Sequence, residues 1–571
     1  MYYHSLLLIS YIIYIIFPLS LDGSCNIHSF FNPRSQGVHT YHELMRWNQY
    51  GNMFIDQQYN IPAVQLFYMS SFNSRHIAQY FFNTDTLCFS GNAVSHRSNN
   101  DILADYFGLP LDYCSTVQIK PHAYATAITV DWYKSFDDFI HGLYARIYAP
   151  IVHTRWHMHL KEQTHNKGNQ AYPAGYMAHT AIARSALYET ATEAFTGKKE
   201  IGDIQPLKYG RIDGSHADTG LAEIKVLLGY NPVINDLYHF GFNAQLSIPT
   251  GNRSRAEYLF EPIYGNGHHW EFGLGFSAHA TLWNSCDELS SCAFSSDLAI
   301  SHLYTSRQRR SFDFKKNGAL SRYMLVQEIG TPVIAGLTVD AQPATHQYHG
   351  KLMPAINIST FNTDISIAAL IDLVFKCSYH YNNLDISAGY NLWARTAEQC
   401  HKRDALPHNC FALKGDAQLY GFIELANDQF VALNATESNA TIHKGQGSGN
   451  IAKIDNTVIN SFANSNVDNA TLIELMGNGL VVDDTAAIFV SINGSNQSII
   501  LTNKDIDNQS GLSPASLSHT LFISSNYIWE KQHDITPFVG KGISVEWCHA
   551  LKKTYALFSN WSLWIKGGIC W

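Results

Sequence analysis

Apolar and polar residues take turns along long stretches of this chain. From Ala222 to Tyr230 one face carries Ala222, Ile224, Val226, Leu228 and Tyr230, and the other carries Glu223, Lys225, Leu227 and Gly229. Beyond the Asn231-Pro232 turn, Tyr238, Phe240, Phe242, Ala244, Leu246 and Ile248 alternate with His239, Gly241, Asn243, Gln245 and Ser247. A third copy sets Trp270, Phe272, Leu274, Phe276, Ala278 and Leu282 against Glu271, Gly273, Gly275, Ser277 and His279. Further on, Ala369, Ile371, Leu373, Phe375 and Cys377 alternate with Asp372, Lys376 and His380. Asn382-Asn383 makes a tight turn, and Leu384, Ile386, Ala388, Tyr390 and Leu392 return opposite Asp385, Ser387, Asn391 and Arg395. A period of two belongs to strands, whose successive side chains leave opposite faces. The pattern predicts strands over 62–72, 116–133, 143–160, 219–230, 237–249, 268–283, 297–305, 365–380, 383–396, 411–424, 516–528, 536–548 and 557–571, with 321–329 as a further candidate.

Two architectures accommodate two-faced strands. In a soluble sandwich the apolar face meets a second sheet, and the polar face meets water. In a transmembrane barrel the apolar face meets lipid and the polar face lines a lumen. Segments of nine to twelve or more residues suit a tilted bilayer crossing. Aromatics gather at segment ends, as interfacial girdles require, and the polar face mixes charge with Gly and Ser. An open edge in hydrocarbon leaves unpaired backbone groups that each cost several kcal/mol, so such a sheet has to close. The expectation is an all-β fold: a transmembrane antiparallel β-barrel of about 12 to 16 strands, an even number, with short turns at one end and long loops at the other.

Composition supports this. Charged residues are 15% of the 571, against about 25% in an ordinary soluble domain. The net charge of −9 excludes a nucleic-acid binder working through broad basic charge, and the 46% hydrophobic content excludes whole-chain disorder. After the N-terminus no apolar run is long enough to cross a bilayer as a helix; the longest, Ile365 to Tyr379, is interrupted by Asp372 and Lys376. Leu6 to Leu21 is one short apolar run containing Pro18 and followed by Asp22-Gly23-Ser24, which reads as a signal peptide over 1–24 and an exported chain. Ten cysteines fit an oxidising compartment: Cys286 with Cys292 and Cys400 with Cys410 look like loop staples, and Cys88 could pair with Cys114.

The last strand reads Asn560-Trp-Ser-Leu-Trp-Ile-Lys-Gly-Gly-Ile-Cys-Trp571, and its partner reads Thr536-Pro-Phe-Val-Gly-Lys-Gly-Ile-Ser-Val-Glu-Trp547. Trp571, Ile569, Ile565, Leu563 and Trp561 share one face, with Lys566 and Ser562 on the other. An alternating strand that stops on an aromatic residue resembles the assembly signature of bacterial outer-membrane β-barrel proteins, porin-like at the level of the class. The resemblance implies that Trp571, Ile569, Ile565 and Leu563 address the barrel-assembly machinery. It also implies that the chain sits among outer-membrane lipids.

The domain reading is then a signal at 1–24, an N-terminal periplasmic segment or plug at 25–60 and a barrel at 61–571, with insertions at 161–218 and 427–515. In 161–218, Ala183, Leu187, Ala191, Ala194 and Phe195 have helical spacing, with Gly197 placed to end the helix. Residues 427–515 are rich in Asn, Ser, Thr and Gly and read as a long loop or small external subdomain. No Gly-x-Ser-x-Gly elbow, His-Glu-x-x-His pair or Walker loop is present. No enzyme activity, cofactor or metal is expected. His153, Arg155, His157 and His159 share one strand face and suggest a cationic stripe of lumen wall; about 7 Å apart, they would need a neighbouring strand's ligands to chelate a metal. With Glu223, Lys225, Glu271, Asp372, Lys376, Asp385 and Arg395 they make up the candidate pore lining. The reading is a channel for passive passage of small solutes or ions. A fatty-acid-type transporter with Asn26 to Asn60 as plug is a variant of it. The alternative is a surface-binding protein that uses the 427–515 insertion, with the barrel as anchor.

Overall fold

A computed structural model describes residues 34–36, 39–41, 60–330, 347–415, 419–425, 429–434, 440–443, 451–454, 490–493, 500–529, 535–549 and 558–571, except 174, 175, 179, 236, 287 and 288. The predicted signal and most of the 427–515 insertion lie outside the described residues.

Twelve strands close into one antiparallel barrel in chain order. They are β1 (Asn60–Ser71), β2 (His122–Ser135), β3 (Leu143–His157), β4 (Glu223–Ile234), β5 (Tyr238–Pro249), β6 (Glu271–Asn284), β7 (Ser290–Ser311), β8 (Thr360–Tyr381), β9 (Leu384–Arg395), β10 (Ser516–Ile528), β11 (Thr536–His549) and β12 (Asn560–Cys570). The seam between β1 and β12 runs from Ala63 opposite Gly568 to Ser71 opposite Asn560. Asn60 and Trp571 exchange backbone hydrogen bonds of 2.8 and 3.2 Å at its end. The connections 136–142, 235–237, 285–289, 382–383 and 529–535 are short; those at the opposite end are long.

Side chains on the outer face are apolar and open. Leu521 and Ile565 are each 54% exposed, with Val64, Leu66, Ile128, Val130, Leu274 and Ile543 in the same band. Surface of this kind is stable against lipid and not against water. Trp132, Tyr238, Trp283, Tyr381, Tyr527 and Trp571 ring the short-turn end, and Tyr68, Trp270, Tyr304 and Trp547 ring the other. This is the pair of aromatic girdles expected at two membrane interfaces.

Two of the predicted strands are corrected. Segment 411–424 contains Phe411–Leu413, which pairs with Leu325–Gly330 in a three-stranded sheet of the long loops, and the start of Tyr420–Leu425 in another sheet. The extra candidate 321–329 falls in the same three-stranded sheet. Strands this short cannot cross a bilayer, which takes about 9–11 residues. The apolar side chains of Leu325, Val326, Phe411 and Leu413 serve a core that the long loops share with inward barrel residues such as Trp156 and Trp393, and within it Phe89 packs edge-on against Phe107 and Phe195.

The predicted helix around 183–197 is also corrected. It is a 3₁₀ turn, Arg184–Ala186, and one short helix, Ala191–Ala194, capped by the Thr190 side chain. Gly197 follows with φ +58°, in the left-handed region. Leu187, Ala191, Ala194 and Phe195 instead face the loop core one at a time, held by cross-ties, and Ala183 is exposed. Glu162 accepts hydrogen bonds from the Ala191 and Thr192 amides at 3.0 and 2.9 Å and from the Tyr113 and Thr192 hydroxyls. Burial works to raise the Glu162 carboxyl, but these donors outweigh it and hold the group below the usual carboxylate range. Tyr113 is pushed up to about 12 by burial and by its bond to Glu162.

The described cysteines are thiols, so the predicted staples do not form among them. Register is the reason in the loop sheet: Cys88 stands opposite Thr116, and Cys114 opposite Ser90. The two sulfurs are thus offset along the pair of strands.

Candidate functional site

Alternation sends every second side chain of the barrel inward, and these are mostly polar and buried. Near the short-turn end, Asp131 on β2 receives Arg146 of β3 at 3.0 Å and Lys566 of β12 at 3.1 Å. The Arg146 guanidinium lies 4.1 Å from the centre of the Tyr148 ring. Three strands are tied through one carboxylate. At the same end Asp385 of β9 accepts from Asn526 at 2.8 Å and pairs with His380 at 3.1 Å. Lys376 is buried on the same inner face, and the rings of His239 and His279 stack with centroids 5.8 Å apart.

Deeper in the lumen the chemistry comes from outside the barrel. Residues 34–36 and 39–41 are not on any strand, yet their side chains meet wall positions on several strands. Arg34 donates to Asp372 of β8 at 2.8 Å and to Asn391 of β9 at 3.0 Å, and lies 3.7 Å from Glu546 of β11. Its guanidinium sits 5.6 Å from the Trp393 ring and 6.0 Å from that of Tyr41. Ser35 donates to Glu223 at 2.5 Å on the far wall, and Thr40 donates to Asp372 at 2.8 Å. Tyr41 stacks on Phe522 and meets Trp564 edge-on. Trp564 can project into the lumen because Gly542 faces it: a Cβ at Gly542 would come within 2.2 Å of the indole. Beside Arg34 lies a cavity of about 70 Å³, reaching Glu223, Lys225, Glu271, Asp372 and Arg395. That is room for several waters, since one needs roughly 10–15 Å³ by this measure. Where the lumen meets the loops, Glu398 lies 3.3 Å from Arg310 and 4.0 Å from Arg395, and accepts from the Ser513 amide at 2.8 Å.

Of the residues singled out from sequence, the structure puts Glu223, Lys225, Glu271, Asp372, Lys376, Asp385 and Arg395 on the inner face of the wall. It does not put His153, Arg155 and His157 there. These follow the parity of Leu143, Ala145, Ile147, Ala149 and Ile151, which face outward, while Thr154, Trp156 and Met158 point in. Above Ile151 the outer surface has left the lipid and turns polar: His153 bonds Thr219 at 2.6 Å, and Arg155 bonds Ser215 at 2.7 Å on an added strand, Ser215–Leu221. Trp156 packs inside against Phe260 and Phe558. His159 lies past the strand end, exposed, with φ +44°. Leu563, Ile565, Ile569 and Trp571 share the outward, exposed face of the last strand.

Sequence reading missed Asp131, Arg146, Glu546 and Trp393. The first three were within reach of parity: Ile128, Val130 and Trp132 face lipid, so Asp131 faces in. Trp393 also shares the parity of Asp385, Asn391 and Arg395, but as an apolar residue on the polar face it carried no polarity signal, and Arg34, on no strand, carried neither. Among the described residues, no group of three His, Cys, Asp or Glu side chains is placed to hold a metal ion.

A closed twelve-strand antiparallel barrel with an apolar band, two aromatic girdles and a polar interior is a transmembrane β-barrel of the outer-membrane class. No protein-family model and no curated protein matches the chain. Similar solved structures include an outer membrane channel from Pseudomonas putida F1, with TM-score 0.31 and 7% identity over 90% of this chain and 96% of that one. A Pseudomonas aeruginosa FadL homologue gives TM-score 0.23 and 6% identity over 90% of each chain. A mutant of the TodX monoaromatic hydrocarbon channel gives TM-score 0.24 and 8% identity over 90% and 89%.

Proposed function

We propose that the protein is an outer-membrane channel for small polar solutes or ions, its passage narrowed by residues of the 25–60 segment. The observation that carries this reading is the charged lumen with a 70 Å³ cavity toward its long-loop end, bounded by Glu223, Lys225, Glu271, Asp372 and Arg395 on the wall and by Arg34 from the arm. A barrel serving as a mere anchor has no use for so many buried charges, each costly to desolvate. Lys376 and Asp385 belong to the same path on the periplasmic side. Trp571, with Leu563, Ile565 and Ile569, is the signal for the assembly machinery.

Planar-bilayer recording of the folded protein tests the channel. Stable conductance steps are expected, with Asp372→Ala moving ion preference toward anions because a lumen negative charge is lost. A folded, inserted barrel that never conducts overturns the reading. One observation favours surface binding as a second function: the long loops carry an extensive apolar core, continuous with inward residues of the wall and larger than a pore rim requires. Removing 427–515 should then abolish cell-surface binding and leave conductance in place.

A further inference from the structure

We infer that the Arg34 pocket is a recognition site for organic cations, guanidinium-bearing or primary-amine solutes, and that Arg34 fills it as a tethered stand-in. The inference rests on the channel reading for its biological use, but not for the binding itself.

The wall supplies the site without the arm. Asp372, Asn391 and Glu546 come from β8, β9 and β11, and Asn391 also donates to Asp372, fixing the carboxylate in place. Two carboxylates, an amide oxygen and the face of Trp393 are what a planar guanidinium selects: charge-assisted hydrogen bonds in its plane and an aromatic ring near its face. Arg34 makes these contacts at 2.8, 3.0 and 3.7 Å, with the ring at 5.6 Å.

The arm that delivers Arg34 is held to the wall by side-chain contacts of Ser35, Thr40 and Tyr41, outside the barrel's strand ladder. The neighbouring cavity gives a ligand room for the rest of its body. Across it stand Glu223 and Glu271. With Arg34 withdrawn, Asp372, Glu546, Glu223 and Glu271 face, among the described residues of this part of the lumen, Lys225 and Arg395, and Arg395 is shared with Glu398 and Ser513. Four carboxylates against one ammonium and one guanidinium already shared with Glu398 leave an excess of negative charge that attracts a cation and repels an anion.

The test compares methylguanidinium with its neutral isostere N-methylurea, by calorimetric titration of the full chain in detergent. Arg34→Ala should bind methylguanidinium saturably and N-methylurea not at all. Wild type should bind it at least tenfold more weakly, because the tethered guanidinium competes at an effective concentration on the order of millimolar. Adding Asp372→Asn to Arg34→Ala should abolish binding. Arg34→Gln, which keeps a donor but no charge, should behave like Arg34→Ala and guards against misfolding of either variant. Folded Arg34→Ala and Arg34→Gln proteins that fail to bind methylguanidinium overturn the site whether or not they conduct. Equal binding of N-methylurea overturns it too. Binding in a barrel that never conducts upholds the cation site while the channel reading falls.

Discussion

Two of the ion clusters in the lumen are built from similar groups, and they differ in where the cation comes from. In one, Asp131 is braced by Arg146 and Lys566, all three on barrel strands. In the other, Asp372 and Glu546 receive Arg34, whose described neighbours 35, 36 and 39–41 belong to no strand. The first cluster is complete as soon as the barrel closes, and cannot be emptied without unfolding the wall. The second is completed by an arm, and emptying it leaves the barrel whole. A buried pair made by strands is a brace, whereas one made with an arm can work as a latch.

Breaking the brace should have the largest effect. Asp131→Ala leaves two buried cations without their carboxylate, and is expected to destabilise the barrel by ~3–5 kcal/mol in urea unfolding from lipid. Next comes the lipid face, which sets the wall itself apart from anything in the lumen. Leu521→Arg on the outer face should cost ~2–4 kcal/mol, as a cation in hydrocarbon does. Arg34→Ala should cost less than either, because its carboxylates adjoin a wet cavity. It should raise single-channel conductance and shift permeability toward cations, the opposite sign to Asp372→Ala. If Arg34→Ala destabilises as much as Asp131→Ala and leaves conductance unchanged, both clusters are braces.

Outside the membrane, Glu162 ties the loops by the strand logic of the brace. Its carboxyl is held below the usual range, so its contribution is fully present above the unfolded value of about 4.3 and is lost as pH falls through the lower folded value. Backbone hydrogen exchange at Ala191 and Thr192 should therefore rise below about pH 4 in wild type. Glu162→Gln should remove that pH step. The smallest effect is expected from Arg155→Ala, which changes an outward, exposed side chain above the lipid. Ion selectivity should not move, and a clear shift would put that face back on the solute path.

Much of the wall was legible without coordinates. Alternation is local, so the facing of Glu223 against Ile224, of Asn243 against Phe242, or of Asp385 against Ile386 could be read from neighbours alone. The upper part of β3 shows where that reading breaks. It rests on apolar residues facing lipid, and above Ile151 there is no lipid. There Trp156 and Met158 turn toward the loop core, and His153 and Arg155 turn toward water. Carrying the parity of Leu143 to Ile151 upward would have placed them; judging each stretch by its own polarity did not.

The chain by itself determined the period, the lipid band, the polar interior and the class of the fold, since each follows from side chains two positions apart in an extended strand. Tertiary structure decided that twelve strands close, that 411–413 and 325–330 belong to the loops, and that Arg34 meets Asp372. Those outcomes depend on groups far apart along the chain, 338 residues in the case of Arg34 and Asp372. Only strand pairing, loop packing and the docking of the arm bring such groups within hydrogen-bonding range.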